Sequence, residues 1–154
     1  MNKISGTIIT LNNEKLITDC IISLKKVCDE IIVLDSLSTD GTAQIAKDLG
    51  VKVYFQEFLG DGPQKKLAAS YASNDWVFSL DADERLEDDL IEFVNSLKLD
   101  LGNYNAYSFR RRNFCGQKWI KAASFYPDRV TRLYNRSQVN YTMSTSHAYV
   151  DSAA

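Results

Sequence analysis

Hydrophobic positions in the first hundred residues switch repeatedly between a strand-like and a helix-like period. Ile4 to Leu11 is apolar and β-branched and stops at the polar Asn12-Asn13-Glu14, which predicts a strand. Lys15 to Val27 places Leu16, Ile17, Cys20, Ile21, Leu24 and Val27 on one helical stripe. Glu30 to Leu34 contains Ile31-Ile32-Val33-Leu34, a continuous apolar run ending at Asp35, as expected of a parallel strand buried on both faces. Ser36 to Gly41 is turn-rich, Thr42 is placed to cap a helix running to Leu49, and Gly50 suits that helix's stop. Val51 to Phe55 predicts a third strand. Gly60-Asp61-Gly62-Pro63 predicts a flexible loop, with Pro63 in the first turn of a helix through about Ala72. Trp76 to Leu80 predicts a fourth strand, ending at Asp81-Ala82-Asp83-Glu84, and Glu87 to Leu97 a further helix.

Strand and helix in strict alternation imply an α/β fold of Rossmann-like form: a mostly parallel sheet with helices on both faces. Ligands of such sheets bind beyond the carboxyl ends of the strands, which here means the loops after Leu11, Leu34 and Leu80. From about Tyr104 the pattern changes. Tyr104 to Arg112, Lys118 to Ile120 and Val130 to Tyr134 predict short strands, helix signals are missing, and the tail after Tyr141 is weakly patterned. A single domain is expected, with 1–100 forming the ligand-binding half and 101–154 a short β-rich part.

Composition narrows the class. With 154 residues, 45% of them apolar and 25% charged, the chain reads as one ordinary globular domain. A net charge of -2 argues against a general nucleic-acid binder, which needs a cationic surplus. Cys20, Cys28 and Cys115 lack metal or redox spacing, so idle thiols in a reducing cytoplasm are expected. No apolar run approaches the roughly 20 residues that span a bilayer. A cytoplasmic protein is expected, and contact with the inner face of the membrane and oligomerisation stay open.

The informative polar residues fall in the strand-end loops. Asp81 and Asp83, separated by one residue, can point two carboxylates into one crevice. Mg²⁺ and Mn²⁺ take such oxygen ligands and bridge them to substrate phosphates. The competing reading is that these acids cap the next helix. Asp35 is placed to accept hydrogen bonds from a base or ribose, or simply to order its turn. Arg110 and Arg112 share one strand face and Arg111 takes the other. They suit a phosphate or anionic acceptor, or else a charged edge strand. His147, the only histidine, could complete a metal site or be structural. Trp119, Phe125 and Tyr126 could stack on sugar rings or pack in the core.

Taken together, the segments Ile8-Ile9-Thr10-Leu11-Asn12-Asn13-Glu14, Asp29 to Thr42 and Ser79-Leu80-Asp81-Ala82-Asp83-Glu84 resemble family 2 glycosyltransferases of the GT-A fold. Gly62-Pro63-Gln64-Lys65-Lys66 with Ala68-Ala69, and Pro127 to Leu133, are similar to the lipopolysaccharide core β-1,4-glucosyltransferase group. The resemblance implies that Thr10, Asn12 and Glu14 line a nucleoside pocket and that Asp35 contacts uracil or its ribose, with Lys65 nearby. It also implies that Asp81 contacts the ribose and Asp83 a divalent metal, Mg or Mn. A UDP-sugar would then be the donor and a saccharide or lipid-linked saccharide the acceptor, with inversion by direct displacement and Asp128 as candidate base. That group carries His-Glu where this chain has His147-Ala148, and its members run about a hundred residues longer, so the acceptor half is expected to be partial. Two rival readings are a sugar-nucleotide-binding domain without turnover and a nucleotidyltransferase. Asn12-Asn13-Glu14 lacks the Gly- and basic-rich character of the latter's first loop.

Overall fold

A computed structural model of the chain describes residues 1–116, 118–121 and 127–151. Four strands, β1 (Ile4–Thr10), β2 (Glu30–Asp35), β3 (Lys52–Phe55) and β4 (Trp76–Asp81), alternate with helices α1 (Ile17–Lys25), α2 (Thr42–Asp48), α3 (Asp61–Ser70) and α4 (Asp88–Leu97). Then come β5 (Ala106–Arg111), a hairpin of β6 (Phe114–Cys115) and β7 (Lys118–Trp119), β8 (Asp128–Asn135), and a second strand pair, β9 (Asn140–Tyr141) and β10 (Val150–Asp151). The main sheet has the order β3-β2-β1-β4-β8-β5. Its first four strands are parallel, β8 runs antiparallel to β4, and β5 antiparallel to β8.

Strand alternation sorts side chains onto two faces. Ile4 and Ile8 of β1, Ile31 and Val33 of β2, and Phe78 and Leu80 of β4 pack with Ile17, Ile21 and Leu24 of α1, Ala46 of α2 and Val94 of α4. Ile32, Val77 and Tyr134 face the other way, against Ala69 of α3, Ala72, and Tyr141 and Val150 of the β9–β10 pair. The mostly parallel, doubly covered sheet expected from the alternating pattern is thus present. Burial pushes the Cys20 and Cys28 thiols well up, which keeps them unreactive. No helix among the described residues is long and apolar enough to cross a membrane.

Three expected boundaries change. Gly60-Asp61-Gly62 is not a loose connection: α3 begins at Asp61, because its first turn is docked onto the β9–β10 connection. The Asp61 and Gly62 amides donate to the carbonyls of Thr145 (3.0 Å) and Ser144 (2.9 Å), and the Asp61 carboxylate accepts from the Ala148 amide at 2.9 Å. Thr42 is not the cap of α2 but its first residue. Asp40 supplies the side-chain bond, accepting from the Thr42 amide at 3.0 Å. The tail after Tyr141 is ordered into β10 by pairing Val150 with Tyr141.

At the amino ends of the strands, Glu30 ties three elements together. It accepts from the Ser5 hydroxyl (2.6 Å), the Ser73 amide (2.6 Å) and the Lys52 ammonium (2.7 Å). Burial alone would raise its pKa, but the bonds from Lys52, Ser5 and Ser73 outweigh that and bring it from 4.5 down to about 2. A depressed folded-state pKa stabilises the fold above pH 4.5, and the contribution fades as pH falls from there toward 2. The exposed Lys52 is screened by solvent, so we expect Glu30→Gln to cost about 1–2 kcal/mol at neutral pH. Denaturant unfolding of both proteins at pH 7 and pH 2.5 checks this: the gap should narrow in acid, and an equal gap at both pH values would contradict it.

Candidate functional site

The carboxyl ends of β1, β2 and β4 meet in one crevice. Thr10 and Asp35 are directly paired across β1 and β2, and Ile9 is paired with Asp81 across β1 and β4. Thr10 Oγ1 and Asp35 Oδ2 are buried without a hydrogen-bond partner. The other Asp35 oxygen accepts from the Ser38 amide at 2.7 Å, which sets the turn. Buried polar atoms left unsatisfied cost stability, so a pair of them at a ligand-binding edge points to a polar ligand. A cleft of about 270 Å³ opens beside them, lined by Thr10, Asn13, Ser36, Phe58, Asp81 and Asp83 among others.

Two other expected pocket residues are engaged in holding the crevice's rim. Asn12, with a left-handed backbone (φ 53°), accepts from the Thr39 amide at 2.8 Å. Glu14 accepts from the Gly41 amide at 2.9 Å. Their side chains lock the β1 loop to the β2 loop.

Asp81 and Asp83 do not cap α4, which starts seven residues after Asp81 with Glu87 as its N-cap. They stand on a tight turn closed by the Glu84 amide donating to the Asp81 carbonyl at 3.0 Å. Asp81 is gripped from both sides. Lys65 of α3 reaches it at 3.1 Å while also pairing with Asp61 at 2.7 Å. Arg132 of β8 reaches it at 3.1 Å and Glu84 at 2.6 Å. The two cations are buried, with side chains 5% and 8% exposed. Burial by itself would lower the pKa of both. The charges of Asp81 and Asp61 around Lys65, and of Glu84 and Asp81 around Arg132, raise them instead, so both stay charged.

Asp83 is exposed and is paired with no cation among the described residues. Partial burial of its carboxylate, then the charges of Asp81 and Glu84, raise its pKa. A negative site of this kind with oxygen ligands fits a divalent cation that completes its shell with phosphate and water. Among the described residues no three acidic, histidine or cysteine side chains converge to hold a metal. His147 therefore does not join Asp81 and Asp83 in a three-ligand site. It is exposed, on a left-handed backbone (φ 53°) in the β9–β10 connection.

Asp128, the candidate base, is held by Arg111 at 2.8 Å and by Asn113 at 3.1 Å. Burial opposes, but these bonds bring its pKa below the usual carboxylate range, which weakens it as a proton acceptor. Trp119 sits under Arg112 and Lys121, whose cationic groups lie 5.2 and 4.2 Å from the ring centre. Phe125 and Tyr126, the other stacking candidates, lie outside the described residues. A second, larger cleft of about 960 Å³ reaches Asp83 and Glu84 at one side and Phe93, Phe109, Arg110 and Arg112 at the other.

Sequence reasoning missed Arg132 as a site residue. A single basic residue in the run Val130-Thr131-Arg132-Leu133 carries no local signal. The sheet register shows why it matters. Tyr107 pairs with Leu133 but Ser108 with Thr131, so Arg132 is an extra residue at a bulge. Bulges re-aim side chains next to sites of this kind.

An α/β sheet of this order, with paired acids at the end of its fourth strand and buried cations around them, is a domain of the GT-A fold. The model of the family described as "Glycosyl transferase family 2" matches residues 5–154, and the chain belongs to that family. It is 41% identical over 157 residues to an uncharacterized glycosyltransferase of Rickettsia felis, covering 96% of this chain and 54% of the relative. It is 32% identical over 146 residues to the lipopolysaccharide core biosynthesis glycosyltransferase LpsC of Rhizobium meliloti, covering 92% of this chain and 54% of that protein. The chain thus spans about half the length of the curated relatives it matches. Among solved structures, the glucosyl-3-phosphoglycerate synthase of Mycobacterium tuberculosis in complex with UDP superimposes with a TM-score of 0.58 at 28% identity. That match covers 73% of this chain and 46% of the synthase.

Proposed function

We propose that this domain binds a UDP-sugar together with Mg²⁺ or Mn²⁺ and passes the sugar, with inversion, to a saccharide or lipid-linked saccharide. The observation that carries the reading is the crevice itself. Unsatisfied Thr10 and Asp35 atoms sit beside Asp81, Asp83, Lys65 and Arg132 at the carboxyl end of the sheet. Asp35 would accept from the uracil or ribose. Asp83, with Asp81, would hold the cation, whose chemistry is to neutralise the leaving diphosphate. Lys65 and Arg132, already charged and buried, would add fixed positive charge where negative charge develops. The likeness to a UDP-bound synthase favours uridine. The likeness to LpsC favours lipopolysaccharide core as the acceptor class.

Calorimetry with Mn²⁺ tests the reading. UDP should bind more tightly than GDP or ADP. Asp83→Asn, which keeps shape but removes a charge, should cost about 1.5–3 kcal/mol of metal-dependent UDP affinity while the fold survives. Equal affinity for the three nucleotides would sink the uridine pocket, and unchanged binding by Asp83→Asn would remove that residue from the metal.

A further inference from the structure

The stretch Arg110-Arg111-Arg112 is only partly absorbed by the site. Arg111 is committed to Glu84 at 3.2 Å and Asp128 at 2.8 Å. Its two neighbours are not. Tyr107 and Phe109 of β5 pack against the core, so Arg110 and Arg112 take the opposite side of the strand, along with Ser108. Directly across from Arg110, in register on β8, is Arg129. Two pairs along, past Phe109 and Val130, Ser108 and Thr131 join hydroxyls at 2.8 Å across the same two strands. All three arginines are exposed, and none has a carboxylate partner among the described residues.

Two like charges directly opposite each other on a sheet are destabilising. Charge on an edge strand can be explained as protection against edge-to-edge pairing, which covers Arg110 and Arg112 on β5. Arg129 stands on β8, which lies between β4 and β5 in the sheet order, although its pairing with β4 stops at Leu133, four residues away. The antiparallel pairing of β8 with β4 brings the amino end of β8 to the carboxyl end of β4, the end that carries Asp81. Arg110 and Arg112 also line the larger cleft that Asp83 enters. A like-charged arginine pair, of which Arg110 but not Arg129 borders that cleft, therefore stands near the strand end that carries Asp81.

We propose that Arg110 and Arg129, with Arg112 beside them, form a subsite for an acidic substituent, a phosphate or carboxylate, on the saccharide acceptor. This rests on the donor reading above and adds the acceptor's chemical class. Planar guanidinium forks on neighbouring strands suit a focal oxyanion held by several charge-assisted hydrogen bonds.

The test uses the whole chain and the double variant Arg110→Gln/Arg129→Gln. Arginine side-chain NMR signals are followed during titration with glucose 6-phosphate and, separately, with glucose. UDP affinity with Mn²⁺ is measured on the same samples. Glucose 6-phosphate should give a saturable response at Arg110 and Arg129, glucose none, and the double variant should bind the sugar phosphate at least about tenfold more weakly. UDP affinity should be unchanged, and the melting temperature of the variant should stay level or rise as the like-charge contact is relieved. No saturable response to glucose 6-phosphate, with UDP binding intact, overturns this proposal alone. Failure of the wild-type chain to bind UDP overturns the donor reading on which it rests. Arginine-dependent binding to phosphatidylglycerol vesicles without a response to the sugar phosphate would assign the patch to a membrane surface and also overturn it. A fall in melting temperature with sugar-phosphate binding unchanged would make the arginines structural.

Discussion

Replacing Arg132 with methionine is expected to destabilise the domain by about 3 kcal/mol and to weaken UDP binding strongly. Methionine keeps the length and much of the volume but removes the charge. What remains is a turn carrying Asp81, Asp83 and Glu84, with Lys65 still bonded to Asp81. Breaking a buried ion pair on one side is costly because the partner charge stays behind, uncompensated. Here two partners stay behind, each left with one cation among the described residues, Lys65 for Asp81 and the more exposed Arg111 for the more buried Glu84. The Glu84 carboxylate also accepts the Asp81 amide at 3.1 Å, so its displacement would loosen the turn that presents both aspartates. Arg132→Lys should recover part of the stability, since one ammonium restores the charge. It cannot reproduce the guanidinium's simultaneous bonds to Asp81, Glu84 and the Tyr141 hydroxyl. Urea unfolding and UDP calorimetry on the two variants give the comparison. Wild-type stability in Arg132→Met would show that the pair is solvated and contributes little.

Gly62→Ala is the second large effect. A Cβ at this position would overlap the carbonyl oxygen of Thr142 and lie 2.8 Å from that of Ser144. Both are backbone atoms, so neither can turn aside as a side-chain tip would. The first turn of α3 must then lift off the β9–β10 connection, giving up the amide bonds from Asp61 and Gly62. Overpacking of this kind costs about 1–3 kcal/mol. The lost bonds bring the expected total to roughly 3 kcal/mol, or a melting temperature lower by about 6–12 °C. The consequence reaches the crevice because Asp61 and Lys65 lie one turn apart on α3 and are ion-paired. Displacing the turn moves Lys65 away from Asp81, and UDP affinity should fall by at least about tenfold. A thermal melt and a UDP titration decide it. A melting temperature within a degree or so of wild type would mean that α3 does not dock as described.

Much of the architecture is legible in the sequence alone. Ile31-Ile32-Val33-Leu34 is a continuous apolar run, and Trp76-Val77-Phe78-Ser79-Leu80 is one broken only by Ser79, because both faces of those strands are covered. The stripe Ile17, Cys20, Ile21, Leu24 marks one helical face because only that face is buried. These signals are local, since burial of a regular element writes its own period into the chain. For the same reason the loops holding Thr10, Asp35, Asp81 and Asp83 could be placed at one edge of the sheet: parallel strands all end on the same side.

Only the tertiary structure decided what those acids touch. Lys65 and Asp81 are sixteen residues apart, and Arg132 and Asp81 fifty-one, so no window of sequence contains either contact. Arg132 points into the site because a bulge takes it out of the two-residue alternation. Gly60-Asp61-Gly62 reads as a loop because glycine favours loops, yet here glycine is required by the close approach of a distant backbone at Thr142 and Ser144. Periodicity reports how an element meets the core, whereas contacts between chain-distant polar groups leave no period behind.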